Sequence, residues 1–287
     1  MLAIYKKELR SYFTSMIGYV FLAVFLIIVG LYFGVMNLLQ TSTKIETTLS
    51  SVTFLFIVSV PLLTMRVMAE ENKQKTDQLL YTAPVTAGSI VVGKFLALFS
   101  ILGMGMLVVC TFPLILSLYG HINMASGYAG ILAFTLLGAS YLSIGLFISS
   151  LTESQVVAAV ITYITFVLTL LIDSIASIVP KDNRTAIIVF AVIIAILCVV
   201  LYQMIKNYVI AIGTGIICEA ALLVLYLLKP TLFDGSLARV MNWFSVIGRY
   251  DSFFYGTFNV AALVYYISVI VLFTFLTAQV IKKKRWS

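Results

Sequence analysis

Few residues in this sequence have types and spacing that could do chemistry, and the most conspicuous spell a phosphate loop. Gly88, Gly93 and Lys94 read GxxxxGK, a pattern in which backbone amides and a lysine cradle phosphates. Phe95 stands where a Ser or Thr hydroxyl would ligate magnesium, Ile90, Val91 and Val92 make the interval apolar, and a long apolar run follows at once. Nucleotide binding here is therefore not expected, so any ATP this protein uses must be hydrolysed by another chain. The other candidates are two carboxyls inside apolar runs, Glu219 midway through 208–228 and Asp173 late in 155–178. A charge at the bilayer centre costs about 2.5–3.5 kcal/mol on insertion scales, so each calls for a partner or a cavity. Asp173 reads as a structural group near an interface. For Glu219 a functional contact and a protonated carboxyl bonded to a neighbouring helix stay equally open.

Other chemistries lack their residues. His121 is the one histidine and reads as a loop residue, because metal ligands come in clusters. Cys110, Cys198 and Cys218 are scattered among aliphatic residues with no CxxC spacing, which supports neither zinc nor a disulfide framework. The sequence has no HExxH, no GxSxG and no closely paired carboxylates for acid–base work. No catalytic residue, no metal and no cofactor is assigned to this chain. Asn183-Arg184-Thr185 fits a glycosylation acceptor, a three-residue pattern of low specificity.

The elements that must position these residues are membrane helices. Of 287 residues 62% are hydrophobic and 10% charged, and mean hydropathy is +1.12, whereas soluble domains carry about 25% charged residues. Apolar runs long enough to cross a hydrocarbon core of about 30 Å fall at 17–39, 49–65, 95–119, 127–150, 155–178, 185–204, 208–228 and 259–281. The predicted fold is all-α, a polytopic bundle of about eight transmembrane helices in a single membrane domain over 1–287, with six or seven spans if 185–228 is re-entrant. The net charge of +7 is spread unevenly. Alternating sides collect Lys6, Lys7, Arg10, Arg66, Lys73, Lys75, Lys94, Lys206 and the tail Lys282 to Arg285 on one face, against Lys44, Lys181, Arg184, Lys229, Arg239 and Arg249 on the other. The positive-inside rule then places both termini in the cytoplasm, which requires an even number of spans.

Three polar segments stand out. In 1–16, Leu2, Tyr5, Leu9, Tyr12, Phe13 and Met16 recur at helical spacing opposite Lys6, Lys7 and Arg10, which suits an interfacial amphipathic helix or, failing that, a polar lead-in to the first span. The stretch 66–94 is densely charged with a short apolar ridge at Leu79, Leu80 and Tyr81, and is either a docking segment or a solvated loop. Within it Pro84 interrupts, and Thr86 is placed to cap a helix leading into the third span. On the opposite side, 229–258 mixes Trp243, Phe244, Tyr250, Phe253, Phe254, Tyr255 and Phe258 with charges, predicting one or two short helices at headgroup level.

These segments carry a resemblance. Tyr5-Lys6-Lys7-Glu8-Leu9-Arg10-Ser11-Tyr12-Phe13 with Ser15 and Gly18, the block Met65, Arg66, Ala69, Glu70, Glu71, Lys73, Thr76, Leu79, Leu80, Ala83, Pro84, Val85 and Gly93-Lys94, the run Gly145 to Leu151, and Tyr265 to Trp286 together resemble the ABC-2 type permeases of ATP-binding-cassette exporters. Within that family they look similar to the gliding-motility-associated permease subunit. The resemblance covers 1–178 and 237–287, and the pair 185–228 looks like a hairpin inserted into a six-span core. Where the family usually has Gly-Thr, this chain has Lys75-Thr76, a departure expected to alter the local turn.

The resemblance implies a permease subunit in the prokaryotic plasma membrane that dimerises with a second permease copy and binds a separate cytosolic ATPase, which holds the ATP and Mg. It implies that 2–16 and 66–85 contact that ATPase, with Arg66, Glu70, Glu71, Lys73, Asp77, Leu79 and Leu80 carrying the coupling. Charge reversal at Glu70 and Glu71 is then expected to uncouple ATP hydrolysis without unfolding the protein. A substrate path between two copies would be lined by Thr53, Phe54, Thr162, Phe166 and Thr169, an apolar surface suited to an amphipathic or lipid-linked cargo. Two other classes stay open: an ion-coupled carrier or channel using Glu219 and Asp173, and a membrane anchor or assembly factor that transports nothing.

Overall fold

The computed structural model describes residues 1–75, 85–179, 182–205, 208–229 and 233–286. Every regular element among them is helical, and they cluster in two compact units, Met1–Leu170 with Val246–Ser287, and Leu171–Ser245. The protein is an all-α polytopic helix bundle. Among the described residues five helices are long and apolar enough to cross a membrane, or six if one bent pair is counted as a span.

In the first unit, α1 (Leu2–Thr14) turns at Met16, in left-handed backbone at φ 61°, into α2 (Ile17–Phe33), which continues as a π-helical turn to Leu39. The second predicted span is broken. Helix α3 (Ile45–Ser51) meets α4 (Leu55–Thr64), which leads on to α5 (Ala69–Gln74), at a bend of 62°. The bend lies at 52–54 and not at Pro61. There the amides of Leu55, Phe56 and Ile57 bond back three residues rather than four, and the Thr53 hydroxyl donates to the Ser50 carbonyl at 2.9 Å.

The third span starts earlier than its apolar run suggests. It comprises α6 (Ala87–Val109) and the short α7 (Phe112–Ser117), and Thr86 caps it as expected, accepting from the Ser89 amide at 3.3 Å. Lys94 does not end the apolar run because its charge is answered inside the protein. Helix α8 (Met124–Leu151) is the most enclosed of the candidate spans and packs against α3, α4, α6 and the terminal helix α14 (Val260–Trp286). Gly138 permits the crossing with α4, since a Cβ there would stand 2.8 Å from Phe56 and from Leu102. Phe25, Phe56, Phe134, Tyr141 and Phe166, the last on α9 (Gln155–Ile178), form an aromatic core.

The second unit holds the predicted hairpin, α10 (Asn183–Ile205) packed on α11 (Tyr208–Leu228), followed by α12 (Ser236–Phe244). The described apolar stretches of the hairpin, Asn183–Ile196 and Gly213–Leu228, are shorter than a full span. The aromatic segment after it divides by role. Trp243 and Phe244 of α12, like Tyr255 and Phe258, are exposed as a membrane interface predicts. Tyr250 and Phe253, at and within α13 (Asp251–Phe254), are buried in the core of the first unit.

Candidate functional site

Helical spacing puts Ile4, Glu8 and Tyr12 on the inward face of α1 and leaves Lys6, Lys7 and Arg10 outside. Gly93 lets that inward face approach α6. A Cβ at Gly93 would lie 3.2 Å from the Met1 carbonyl oxygen and 3.3 Å from Ile4 Cγ2. The next residue is Lys94, whose side chain is 0% exposed. Its ammonium donates to Glu8 Oε1 at 2.8 Å and to the Val67 carbonyl at 2.8 Å, and pairs with Glu71 Oε2 at 2.8 Å, so three donors meet three acceptors. Glu71 turns its other oxygen outward to Lys7 at 2.8 Å. Burial pushes the Lys7 ammonium down, and the Glu71 carboxylate more than offsets that, so the net direction is up. Burial and then the Glu8 carboxylate push the Tyr12 hydroxyl well above the ordinary phenol range, and it donates to the Leu63 carbonyl at 2.7 Å.

The same cluster is tied to the end of α8. The Ser149 hydroxyl accepts the amides of Met68 and Ala69, each at 3.2 Å, serving the start of α5, and Asn72 donates to the Thr152 carbonyl at 3.0 Å. Arg66 forks onto the Glu70 carboxylate one helical turn away. Helices α1, α5, α6 and α8 therefore converge on one ion network, in which α5 is held from both sides. The GxxxxGK spelling is thereby accounted for: Gly88 to Lys94 lies within α6, with no glycine loop, and the lysine faces carboxylates instead of phosphate.

Of the coupling residues expected from the sequence, the structure brings Arg66, Glu70, Glu71 and Lys73 together on or beside α5, while Asp77, Leu79 and Leu80 lie outside the described residues. Glu71 corrects one expectation. It holds the buried Lys94, so reversing its charge would break the packing of α1 on α6 rather than leave the fold intact. Glu70 and the exposed Lys73 carry no such duty. Lys75 caps α5 in left-handed backbone, φ 54° and ψ 20°, the conformation glycine adopts most easily, so the turn survives the Gly-to-Lys departure in strained form.

The expected path residues separate. Thr162 and Phe166 are fully buried within the first unit, and Thr169 bonds Tyr141 at 3.0 Å, where Phe166 packs edge-on against the same ring. Thr53 is buried, whereas Phe54 is exposed beside Tyr32. Thr162 and Phe166 are thus enclosed in the core of the first unit, and Thr169 is half-buried. In the second unit Asp173 accepts from the Ser245 hydroxyl at 2.7 Å. Glu219 faces an apolar groove of about 740 Å³ between α10 and α11, beside Cys198, Tyr202 and Gly215, and makes no ion pair or hydrogen bond among the described residues.

By sequence, Gly93 and Lys94 stand out only through the GxxxxGK spelling and the family block, Lys94 counts among the cytoplasmic charges, and Glu8 and Ser149 have no role of their own. The available signal was local: Lys94 sits between Val92 and Phe95–Leu96 in an otherwise apolar helix, where a lysine requires a buried partner. No curated protein matches this chain. The sequence model of the family described as ABC-2 family transporter protein matches residues 40–229. The matched span runs through the hairpin at 185–228 and stops short of α1 and α14, so it differs from the coverage expected from the resemblance. It takes in well over half of the 287 residues, and with the helical bundle around it the chain belongs to the ABC-2 transporter family.

Proposed function

We propose that this chain is the membrane permease subunit of an ATP-binding-cassette exporter, driven by a separate cytosolic ATPase that carries the ATP and Mg. In this reading it sits in the plasma membrane with both termini cytoplasmic and works as a pair of permease copies. The observation that carries the proposal is the Lys94 network, which fastens α1 and α5 to α6 at the end where Lys and Arg concentrate. A partner pressing on α5 through Arg66, Glu70 and Lys73, or on the segment that holds Asp77, Leu79 and Leu80, would move the second and third spans as a unit. Closing and opening of an ATPase pair would then alternate the interface between the two copies. Exposed Phe54 supplies an apolar surface for an amphipathic cargo; Thr162, Phe166 and Thr169 reach it only if α9 moves.

The test is gentle purification of the tagged protein from its native host, with the mass of the complex and the identity of each component determined. A stoichiometric ATPase in a two-plus-two assembly is expected; a homo-oligomer lacking any ATPase overturns the reading. In the reconstituted complex, Lys73→Glu and Glu70→Lys should leave the protein folded and reduce transport per ATP hydrolysed. Unchanged transport in both would remove α5 from the coupling path.

A further inference from the structure

Beside the ion network, on the outward face of α1, lies a second cavity, which shares Arg66 with the proposed coupling surface. It measures about 590 Å³ and is lined, among the described residues, by Lys6, Lys7, Arg10 and Arg66 with the hydroxyls of Ser11, Thr14 and Ser15, none of them a carboxylate. Lys7 and Arg66 are partly answered from behind by Glu71 and Glu70, but Lys6 and Arg10 are exposed and make no ion pair among the described residues. Counting the network behind it, Lys6, Lys7, Arg10, Arg66 and Lys94 face Glu8, Glu70 and Glu71 among the described residues, an excess of two positive charges at the opening. The Ser11 hydroxyl likewise makes no hydrogen bond among the described residues, and so offers a free donor.

Depth identifies the ligand. The cavity is bounded by the turn where α1 passes into the first span at Ile17 and by Arg66, two residues beyond the end of α4 at Thr64, so two span ends meet at its rim. That is headgroup level. Directly past the rim, Met16, Tyr19 and Val20 are exposed at the start of the first span and present an apolar surface to acyl chains. Cations and hydroxyls above an apolar face match a phosphodiester with two tails. We propose that this cavity binds the phosphate of an anionic phospholipid, one per chain, and that the lipid holds α1 at the membrane boundary. The proposal requires only the membrane boundary and stands apart from the ATPase reading.

The test uses the full-length protein in mild detergent, mixed with phosphatidylglycerol or phosphatidylcholine, and counts retained lipids by native mass spectrometry. One phosphatidylglycerol per chain, held in preference to phosphatidylcholine, is the expected result. Each cation near such a surface accounts for about fivefold, so Lys6→Gln with Arg10→Gln should cut the preference about twenty-five-fold. Lys6→Arg with Arg10→Lys, which keeps both charges, should retain it. Equal retention by wild type and the Gln pair overturns the proposal, as does loss in both double variants. If inorganic phosphate at matched concentration binds as well as the lipid and is lost in the Gln pair, the site takes a soluble anion and the lipid assignment falls. If the Gln pair keeps its lipid but loses a co-purifying protein, the patch is a protein contact and the assignment falls equally.

Discussion

Two regions of this molecule bury carboxyl groups among apolar helices, and they do so in opposite ways. At the junction of α1, α5 and α6, Glu8 and Glu71 surround a lysine with no exposed surface, and every charge has a partner at 2.8 Å. In the hairpin, Glu219 lies half-buried against a groove of aliphatic residues with no partner among those described. The first arrangement consumes its charges in fixing one geometry. The second leaves a carboxyl with no described partner, and such a group contributes little to holding helices together. A buried ion network is weak evidence for stability in general, but removing one member leaves the others uncompensated, which makes it rigid in composition.

The largest effect should therefore come from Lys94→Met. The Met side chain keeps the packing of the stem but strands Glu8 and Glu71, at a cost of about 3–5 kcal/mol. Chemical or thermal unfolding in nanodiscs should show it, and adding Glu8→Gln and Glu71→Gln should recover a large part. If the single variant is as stable as wild type, the two regions do not differ in the way described. Next is Gly138→Ala, where the added methyl would meet Phe56 and Leu102 at 2.8 Å; overpacking of this kind costs about 1–3 kcal/mol in the same assay. An unchanged midpoint would mean that the crossing of α8 and α4 is loose enough to yield.

A smaller effect of opposite sign is expected at Lys75. Its backbone is left-handed, and an L side chain there is strained by about 1 kcal/mol relative to glycine. Lys75→Gly should raise stability by up to that amount, less the greater freedom glycine has in the unfolded chain. A loss instead would show that the Lys75 side chain makes a contact worth more than the strain.

How much of this was legible beforehand depended on distance along the chain. The apolar runs, the cap at Thr86 and the breaker at Pro84 are local signals, and most runs match their helices closely, but the run from 95 misses the first eight residues of α6 and the run 49–65 misses the break between α3 and α4. The family block around Glu70 and Glu71 was legible as a pattern but not as geometry. Its two neighbouring carboxylates look alike in sequence, yet one faces Arg66 at the surface and the other a buried lysine. Lys94 and Glu8 are 86 residues apart, and no periodicity connects them. Lys94 was read as a solvated charge because a lysine at the start of an apolar run satisfies the positive-inside pattern just as well. The break at 52–54 was hidden for a similar reason: apolar composition continues through it, and only the shortened hydrogen bonds of Leu55 to Ile57 reveal the bend.

The smallest stability effect belongs to the other side of the comparison. Glu219→Gln preserves the shape of a half-buried carboxyl that no described residue pairs with, so any destabilisation should stay below about 0.5 kcal/mol. Glu219→Leu should go slightly further toward stability, because a carboxyl against the groove formed with Ile194, Val199 and Leu223 opposes burial there. The informative quantity is the contrast with Lys94→Met measured in one assay. A destabilisation by Glu219→Gln comparable to that of Lys94→Met would mean that the hairpin carboxyl is a structural partner in the assembled protein. A near-zero shift joined to altered transport would show instead that the hairpin, which lies inside the family's matched span, uses its carboxyl for function rather than for packing.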